Sequence, residues 1–148
     1  MLEYTIVEKP QFTLIGYART FHYDTSYQEI PKFWEEVFAM EKCPLMGMFG
    51  VCLGQEGSPE FTYLIADNYT PWEEIPQGCV AQVIPAATWA VFPCRGPIPQ
   101  NLQALNTQIW SQWLPENGQY KLATNMDIEM YAPPEEQYCE IWLPVTKL

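Results

Sequence analysis

One glutamate stands inside an apolar, aromatic run near the end of the chain. The run covers residues 138–145, and its single carboxylate is Glu140. Taking an ionised carboxylate out of water costs several kcal/mol unless a partner meets the charge or its pKa rises until it is neutral. Two chemistries would therefore suit Glu140: pairing with a cationic ligand, or proton transfer by a catalytic carboxylic acid.

Strand alternation gives Glu140 aromatic neighbours. Successive side chains of a strand point to opposite faces, so Tyr138, Glu140 and Trp142 share one face. In the preceding predicted strand, Glu129 and Tyr131 also share a face. If the two strands form a hairpin, both carboxylates and the three aromatic residues can line one surface. Such a surface suits a flat, apolar, cationic ligand, because rings stack on it and the π faces and carboxylates attract positive charge.

A further aromatic candidate is Trp89. It alternates with Phe92 on another predicted strand, so only one of the two residues can line the same surface. Aromatic residues in strands are more often part of the core than of a binding site. Glu140 itself fits three roles: a solvated glutamate at a sheet edge, a residue paired with Arg19, Arg95 or a tyrosine hydroxyl, or part of a pocket.

Composition limits the function classes. The chain has 148 residues, of which 48% are apolar and 15% aromatic, which is enough for one well-packed domain. It carries 18 acidic and seven basic residues, a formal net charge of −11, with no Lys/Arg cluster. We therefore expect no direct nucleic-acid binding, since phosphate neutralisation needs concentrated positive charge. The negative field either attracts cations or only keeps the protein soluble.

Neither a membrane segment nor a metal site is expected. No stretch approaches the roughly 20 apolar residues of a membrane span, and the first residues lack the regions of a signal peptide. We therefore expect a cytoplasmic protein. The five cysteines are scattered, which favours reduced thiols over a disulfide framework. His22 is the only histidine, so neither a His-rich metal site nor a histidine relay can form, and we expect no cofactor.

The order of predicted elements repeats along the chain. In the first half, hydrophobic spacing predicts a strand bent at Pro10, a helix and two strands, at residues 4–21, 30–40, 47–53 and 61–67. In the second half the same order recurs at residues 79–93, 97–114, 122–131 and 138–145.

This repeat predicts the fold class. We expect a single α+β domain over residues 1–148, with pseudo-repeats at about 1–68 and 79–148. Each repeat is a strand-helix-strand-strand unit. The strands are expected to form an antiparallel sheet with helices packed on one side and a central ligand cleft where the halves meet.

Three separated motifs carry a family resemblance. They are YTIVEKP at residues 4–10, IPAATWAVF at residues 84–92 with the following Gly96, and EIWLPV at residues 140–145. Together they resemble the GyrI-like, AraC-type bacterial effector-binding domain family, whose fold is a tandem pair of strand-helix-strand-strand modules. Family members occur as C-terminal ligand-sensing domains of transcription regulators such as BmrR, and as stand-alone proteins. Because no helix-turn-helix segment precedes the domain, the sequence resembles a stand-alone member, and direct transcriptional control is expected only if it is a fragment of a larger regulator.

The resemblance also implies functions and site residues. Glu140 matches the glutamate of the family's final strand motif, and Glu129 stands where BmrR-like members carry a second acidic pocket residue. The first implied function is a multidrug-type binding protein for hydrophobic, cationic or polyaromatic small molecules, and its candidate ligand-binding residues are Glu140, Trp142, Glu129, Tyr131, Tyr138 and Trp89. The alternatives are a hydrolase of cyclopropane-containing genotoxic compounds, with Glu140 as the catalytic residue, and a protein that binds DNA gyrase or a transcription regulator.

Overall fold

A computed structural model describes residues 2–55, 57–70, 72–98 and 100–148. Within these residues the chain forms nine strands and a small helical share, and it divides into two compact units. Unit 1 comprises Met1–Pro10 and Pro85–Leu148, and unit 2 comprises Gln11–Ile84. The cysteines at positions 43, 52, 79, 94 and 139 are all free thiols.

The elements follow one another in a strand-rich order. The first part of the chain contains β1 (Thr5–Lys9), β2 (Phe12–His22), α1 (Ser26–Phe38), β3 (Phe49–Gly54), β4 (Glu60–Asn68) and β5 (Val80–Ile84). The second part contains β6 (Ala87–Arg95), α2 (Gln100–Gln108), a π-helical turn (Ile109–Trp113), α3 (Leu114–Glu116), β7 (Tyr120–Leu122), β8 (Met126–Tyr131), a 3-10 turn (Pro134–Glu136) and β9 (Tyr138–Lys147).

Unit 2 is an antiparallel sheet in the order β3-β4-β2-β5, with α1 packed on one face. The helix turns Phe33 and Val37 toward the sheet, because apolar residues four apart share a helix face. They meet a buried set of side chains from β2, β4 and the loop after α1, which consists of Phe21, Leu45, Phe61, Tyr63 and Ile65. This cluster is the core of unit 2.

Unit 1 has the matching arrangement, with the strand order β1-β6-β9-β8 and β7 paired to the end of β9. The helical segment packs Leu102, Ile109 and Trp113 against one face of this sheet. The strand residues buried there alternate along β6 and β9, and are Ala90, Phe92, Cys94, Cys139, Ile141, Leu143 and Val145. In each unit a strand, a helical segment and further strands follow in order, so the predicted α+β fold with helices on one side of an antiparallel sheet is confirmed.

Two predicted long strands are each broken at a proline. Residues 4–21 form β1 and β2 on either side of Pro10, and residues 79–93 form β5 and β6 on either side of Pro85. Proline has no N–H to donate to a ladder and redirects the chain. As a result β1 pairs with β6, while β5 pairs with β2.

Two other boundaries also differ from the prediction. The strand expected at residues 122–131 is interrupted between β7 and β8, opposite Pro144. Because Pro144 lacks an N–H, it only accepts a hydrogen bond there, from Ala123 N at 2.8 Å. The helix expected at residues 97–114 widens to a π turn, in which Leu114 N–H donates to the Ile109 carbonyl. The single domain and its repeat boundaries remain predictions.

Candidate functional site

The two faces of β9 have different surroundings. This strand lies between β6 and β8 in unit 1, so Glu140 is not on an edge strand. Cys139, Ile141 and Leu143 are fully buried, at 0% exposure, against the helical segment. The alternation predicted from the sequence is therefore confirmed, and we call the opposite face of the unit 1 sheet, which carries Tyr138, Glu140 and Trp142, the Glu140 face.

Both oxygens of the Glu140 carboxylate accept hydrogen bonds from the flanking aromatic residues. Tyr138 Oη donates to Oε2 at 2.5 Å, and Trp142 Nε1 donates to Oε1 at 2.8 Å. This contact follows from the strand itself, since residues two apart stand on the same face. Of the partners that the sequence left open, the tyrosine hydroxyl is the one observed, and an indole N–H joins it.

The two arginines considered as partners bind other carboxylates. Arg19 Nη1 lies 2.7 Å from Glu36 Oε2, and Arg95 Nη1 lies 3.7 Å from Glu3 Oε2. Both pairs are exposed, so each contributes little to stability. Glu140 is therefore oriented by neutral donors rather than by either arginine.

The pKa of Tyr138 is raised to about 12, first by burial and then by its hydrogen bond to Glu140 and the nearby negative charge. A tyrosine with a raised pKa keeps its proton through neutral pH. The Tyr138 hydroxyl is consequently a permanent donor to the Glu140 carboxylate under ordinary conditions.

Trp89 also belongs to the Glu140 face. In the β6–β9 ladder it lies opposite Pro144, and its ring centroid is 6.2 Å from that of Trp142 in an edge-to-face arrangement. Trp89 is fully buried, and within the described residues its Nε1 has no hydrogen-bond partner. An unsatisfied buried donor costs about 1–3 kcal/mol, which packing must offset. Phe92 points to the other face, as the alternation predicted.

Glu129 and Tyr131 lie on the opposite side of the sheet. The β8–β9 register sets Met130 opposite Glu140, so Glu129 is opposite Ile141 and Tyr131 is opposite Cys139. The predicted surface shared by both carboxylates is therefore wrong. Glu129 accepts a hydrogen bond from Tyr131 Oη at 3.0 Å, and Tyr131 packs against the helix-covered core. The physical reason is the turn between the strands, since a register change of one residue exchanges the two faces.

Two cations lie over the aromatic rings beside Glu140: Lys9, which was not a candidate from the sequence, and Arg95, which was expected only as a partner of the carboxylate. Lys9 Nζ lies 4.4 Å from the Trp142 ring centroid, and Arg95 Cζ lies 5.4 Å from that of Tyr138. Lys9 ends β1, where it pairs with Ala87. The motif at residues 4–10 contained Lys9, but only the pairing of β1 with β6 brings its side chain to Trp142.

The chemical character of the site follows from these contacts. It combines one oriented carboxylate, the indoles of Trp89 and Trp142, and the phenol of Tyr138, with cations already at two ring faces.

Within the described residues, no group of three or more His, Cys, Asp or Glu side chains is arranged to hold a metal ion. None of the helices in the described part of the chain has the length and apolar character of a membrane span.

Both the sequence and the fold resemble those of known proteins. A family model described as an integron-associated effector binding protein matches residues 5–145. The transcriptional regulator BrlR of Pseudomonas aeruginosa is 30% identical over 133 residues, which make up 85% of this chain and 47% of BrlR. The chain thus spans about half the length of this curated relative.

Solved structures share the fold over nearly the whole chain. SAV2435 bound to tetraphenylphosphonium has a TM-score of 0.80 and 19% identity, over 98% of this chain and 94% of that one. The integron cassette protein VCH_CASS2 of Vibrio cholerae has a TM-score of 0.76 and 16% identity, over 97% and 95% of the two chains. At such identities the likeness establishes the fold alone.

Proposed function

The chain belongs to the family of integron-associated effector-binding proteins, to which its GyrI-like motifs pointed, and we propose that it binds hydrophobic cations or polyaromatic small molecules at the Glu140 face. Glu140 supplies the counter-charge, and Tyr138, Trp142 and Trp89 supply aromatic surface. The ligand is held without a metal or cofactor.

The observation that carries this proposal is the hydrogen bonding of Glu140. Its two oxygens accept from Tyr138 Oη and Trp142 Nε1, so the carboxylate is fixed in orientation between two aromatic rings. Neither donor is charged, so the negative charge is not neutralised by its immediate partners. A fixed carboxylate beside aromatic faces attracts a cation by both charge and ring quadrupole.

The ligand of SAV2435 supports the same chemistry. Tetraphenylphosphonium is a cation with no hydrogen-bond donor, and its charge lies behind four phenyl rings. Such a ligand is recognised through aromatic contacts and a carboxylate acting across some distance. The net charge of −11 adds a long-range attraction for cations.

Hydrolysis of cyclopropane-containing compounds is the competing proposal from the sequence. It requires Glu140 to take a proton from water or to give one to a developing oxyanion. Each Glu140 oxygen already accepts a hydrogen bond, which holds the group in one orientation and reduces the lone pairs open to water. This arrangement favours binding over hydrolysis.

The test is a comparison of a cationic and a neutral ligand. We would titrate wild type and Glu140→Gln with tetraphenylphosphonium and with triphenylphosphine oxide, a neutral compound with similar rings. A charge pair at about 5 Å is worth about 3 kcal/mol at an effective dielectric constant of 20, and solvent screening reduces it. We expect Glu140→Gln to weaken the cation at least about tenfold, or about 1.4 kcal/mol, and the neutral compound less than about twofold.

Two results would contradict the proposal. Equal losses for both ligands would remove the counter-charge role of Glu140. Mass spectrometry of wild type incubated with a cyclopropane-bearing alkylating compound supplies the other check: turnover that Glu140→Gln abolishes would favour the hydrolase.

A further inference from the structure

Lys9 stands where a ligand cation would stand. Its ammonium nitrogen is 4.4 Å from the centroid of Trp142, the indole whose N–H donates to Glu140. A ligand cation recognised by the ring face and by the carboxylate behind it would occupy the same side of the same ring. We propose that Lys9 is a tethered competitor for the cation position, and that it selects which cations bind. This inference rests on the proposed function.

Trp142 links Lys9 to Glu140 without a direct ion pair. The indole N–H donates to Glu140 Oε1 at 2.8 Å while the ring face receives the ammonium. Hydrogen bonds in a low-dielectric environment polarise their donors, so the carboxylate increases the negative charge on the indole face. The affinity of that ring face for a cation therefore depends on the charge of Glu140, whether the cation is Lys9 or a ligand.

The local surroundings leave Lys9 with no stronger partner. In the part of the chain that the structure describes, no carboxylate lies within ion-pair distance of its ammonium. Its neighbour Glu8 pairs opposite Thr88, and adjacent strand residues point to opposite faces. A contact between an ammonium and a ring face is a weak interaction, so Lys9 is held weakly enough to be displaced.

A displaced Lys9 side chain also has room to move. Its backbone is fixed by the last pair of the β1–β6 ladder, with Ala87. Beside it is a shallow, open depression of about 480 Å³, lined by Glu8, Lys9, Pro10, Ala86, Ala87 and Thr88. The ammonium can therefore leave Trp142 for water while β1 stays in place.

Replacement of Lys9 by a ligand cation at the Trp142 ring favours one class of ligand. A lysine ammonium is a compact, strongly hydrated charge that regains its hydration when it moves into water. A large delocalised cation with an apolar surface loses little hydration on binding and gains buried area. It therefore displaces Lys9 readily, whereas a compact hydrated cation has no such advantage. Lys9 thus makes the site selective for apolar cations.

Substitution of Lys9 tests the competition. Lys9→Met keeps an unbranched side chain and removes the charge, and Lys121→Met removes an exposed charge elsewhere in unit 1 as the matched control. We expect Lys9→Met to raise the affinity for tetraphenylphosphonium about three- to tenfold, because the ligand no longer has to displace the cation–π contact of Lys9. Lys121→Met should change it less than about twofold, because exposed charges are screened by salt. Equal gains in the two variants would overturn the proposal, since they would reflect net charge alone.

A second readout follows the ammonium directly. Reductive methylation with carbon-13 keeps the lysine charges and gives each lysine an NMR signal, and the Lys9 signal is the one missing in Lys9→Met. We expect this signal to carry a ring-current shift in the free protein and to lose it when tetraphenylphosphonium is added. If the ligand binds with an unchanged Lys9 signal, the competition is wrong and the binding function stands. If neither wild type nor Lys9→Met binds, the proposed function fails and the competition with it, whereas binding to Lys9→Met alone supports both.

Discussion

Met130 lies directly opposite Glu140 in the antiparallel β8–β9 ladder. Directly opposed residues share a face, so Met130 stands beside the carboxylate, and Ile128 stands beside Trp142 in the same way. The apolar residues of β8 thus complete the Glu140 face. One of the two acidic residues of that strand, Glu129, is turned toward the side of Ile141.

The register makes Glu129 a matched control for Glu140. We expect Glu129→Gln to change the affinity for tetraphenylphosphonium less than about twofold, because the sheet separates this carboxylate from the Glu140 face and distance and salt weaken its field. Calorimetric titration of Glu129→Gln beside Glu140→Gln measures this difference. A loss in Glu129→Gln as large as that in Glu140→Gln would place the ligand on the helix-covered side of the sheet.

Ionisation of Tyr138 should lower the stability of the protein at alkaline pH. Its pKa is raised from 10.0 to about 12 by burial and by Glu140, so the folded state holds the phenol proton more tightly than the unfolded state. Its contribution to the free energy of unfolding is therefore complete below pH 10 and is lost as pH rises through about 12. We expect Tyr138→Phe to be less stable than wild type by about 1 kcal/mol at pH 7, for the lost hydrogen bond.

Urea denaturation at several pH values measures this effect. The stability difference between wild type and Tyr138→Phe should be constant from pH 7 to 9, which serves as the internal control. It should then shrink between pH 10 and 12, where the unfolded state loses the phenol proton while the folded state still holds it. A difference that stays constant up to pH 12 would show that the Glu140 contact does not hold that proton.

Asp67 should stabilise unit 2 by binding the loop between α1 and β3. Its carboxylate accepts hydrogen bonds from the backbone N–H groups of Met46, Gly47 and Met48, at 2.7, 2.9 and 3.0 Å. Bonds to a charged acceptor are worth about 1.5–3 kcal/mol each when buried, and partial exposure lowers this value. We expect Asp67→Ala to lower the free energy of unfolding by about 2–3 kcal/mol, measured by urea denaturation.

Two variants sharpen the Asp67 experiment. Asp67→Asn keeps the oxygen that binds Gly47 and Met48 but sets an amide donor against Met46 N–H, so its loss should be smaller than that of Asp67→Ala. Asp24→Ala removes an exposed aspartate from the same unit and should change stability by less than about 0.5 kcal/mol. Similar losses in Asp67→Ala and Asp24→Ala would mean that the loop contacts contribute nothing.

Relationships within one element were predictable from the sequence. The shared face of Tyr138, Glu140 and Trp142 follows from a side-chain period of two, and the observed hydrogen bonds join those three residues. The same rule separated Trp89 from Phe92. Hydrophobic spacing likewise predicted one helix in each half of the chain, and the order of elements gave the α+β class. Three short motifs were enough to identify the family.

Relationships between elements were decided by the tertiary structure. The turn after β8 sets the register that puts Met130, and not Glu129, opposite Glu140. Pro10 ends β1, which then pairs with β6 and brings Lys9 over Trp142. No local pattern encodes these outcomes, because a register shift of one residue or a different strand partner preserves the alternation within each strand while exchanging the faces that meet. The sequence by itself therefore determined which carboxylate stands among aromatic residues, and only the folded chain determined which other charges share its face.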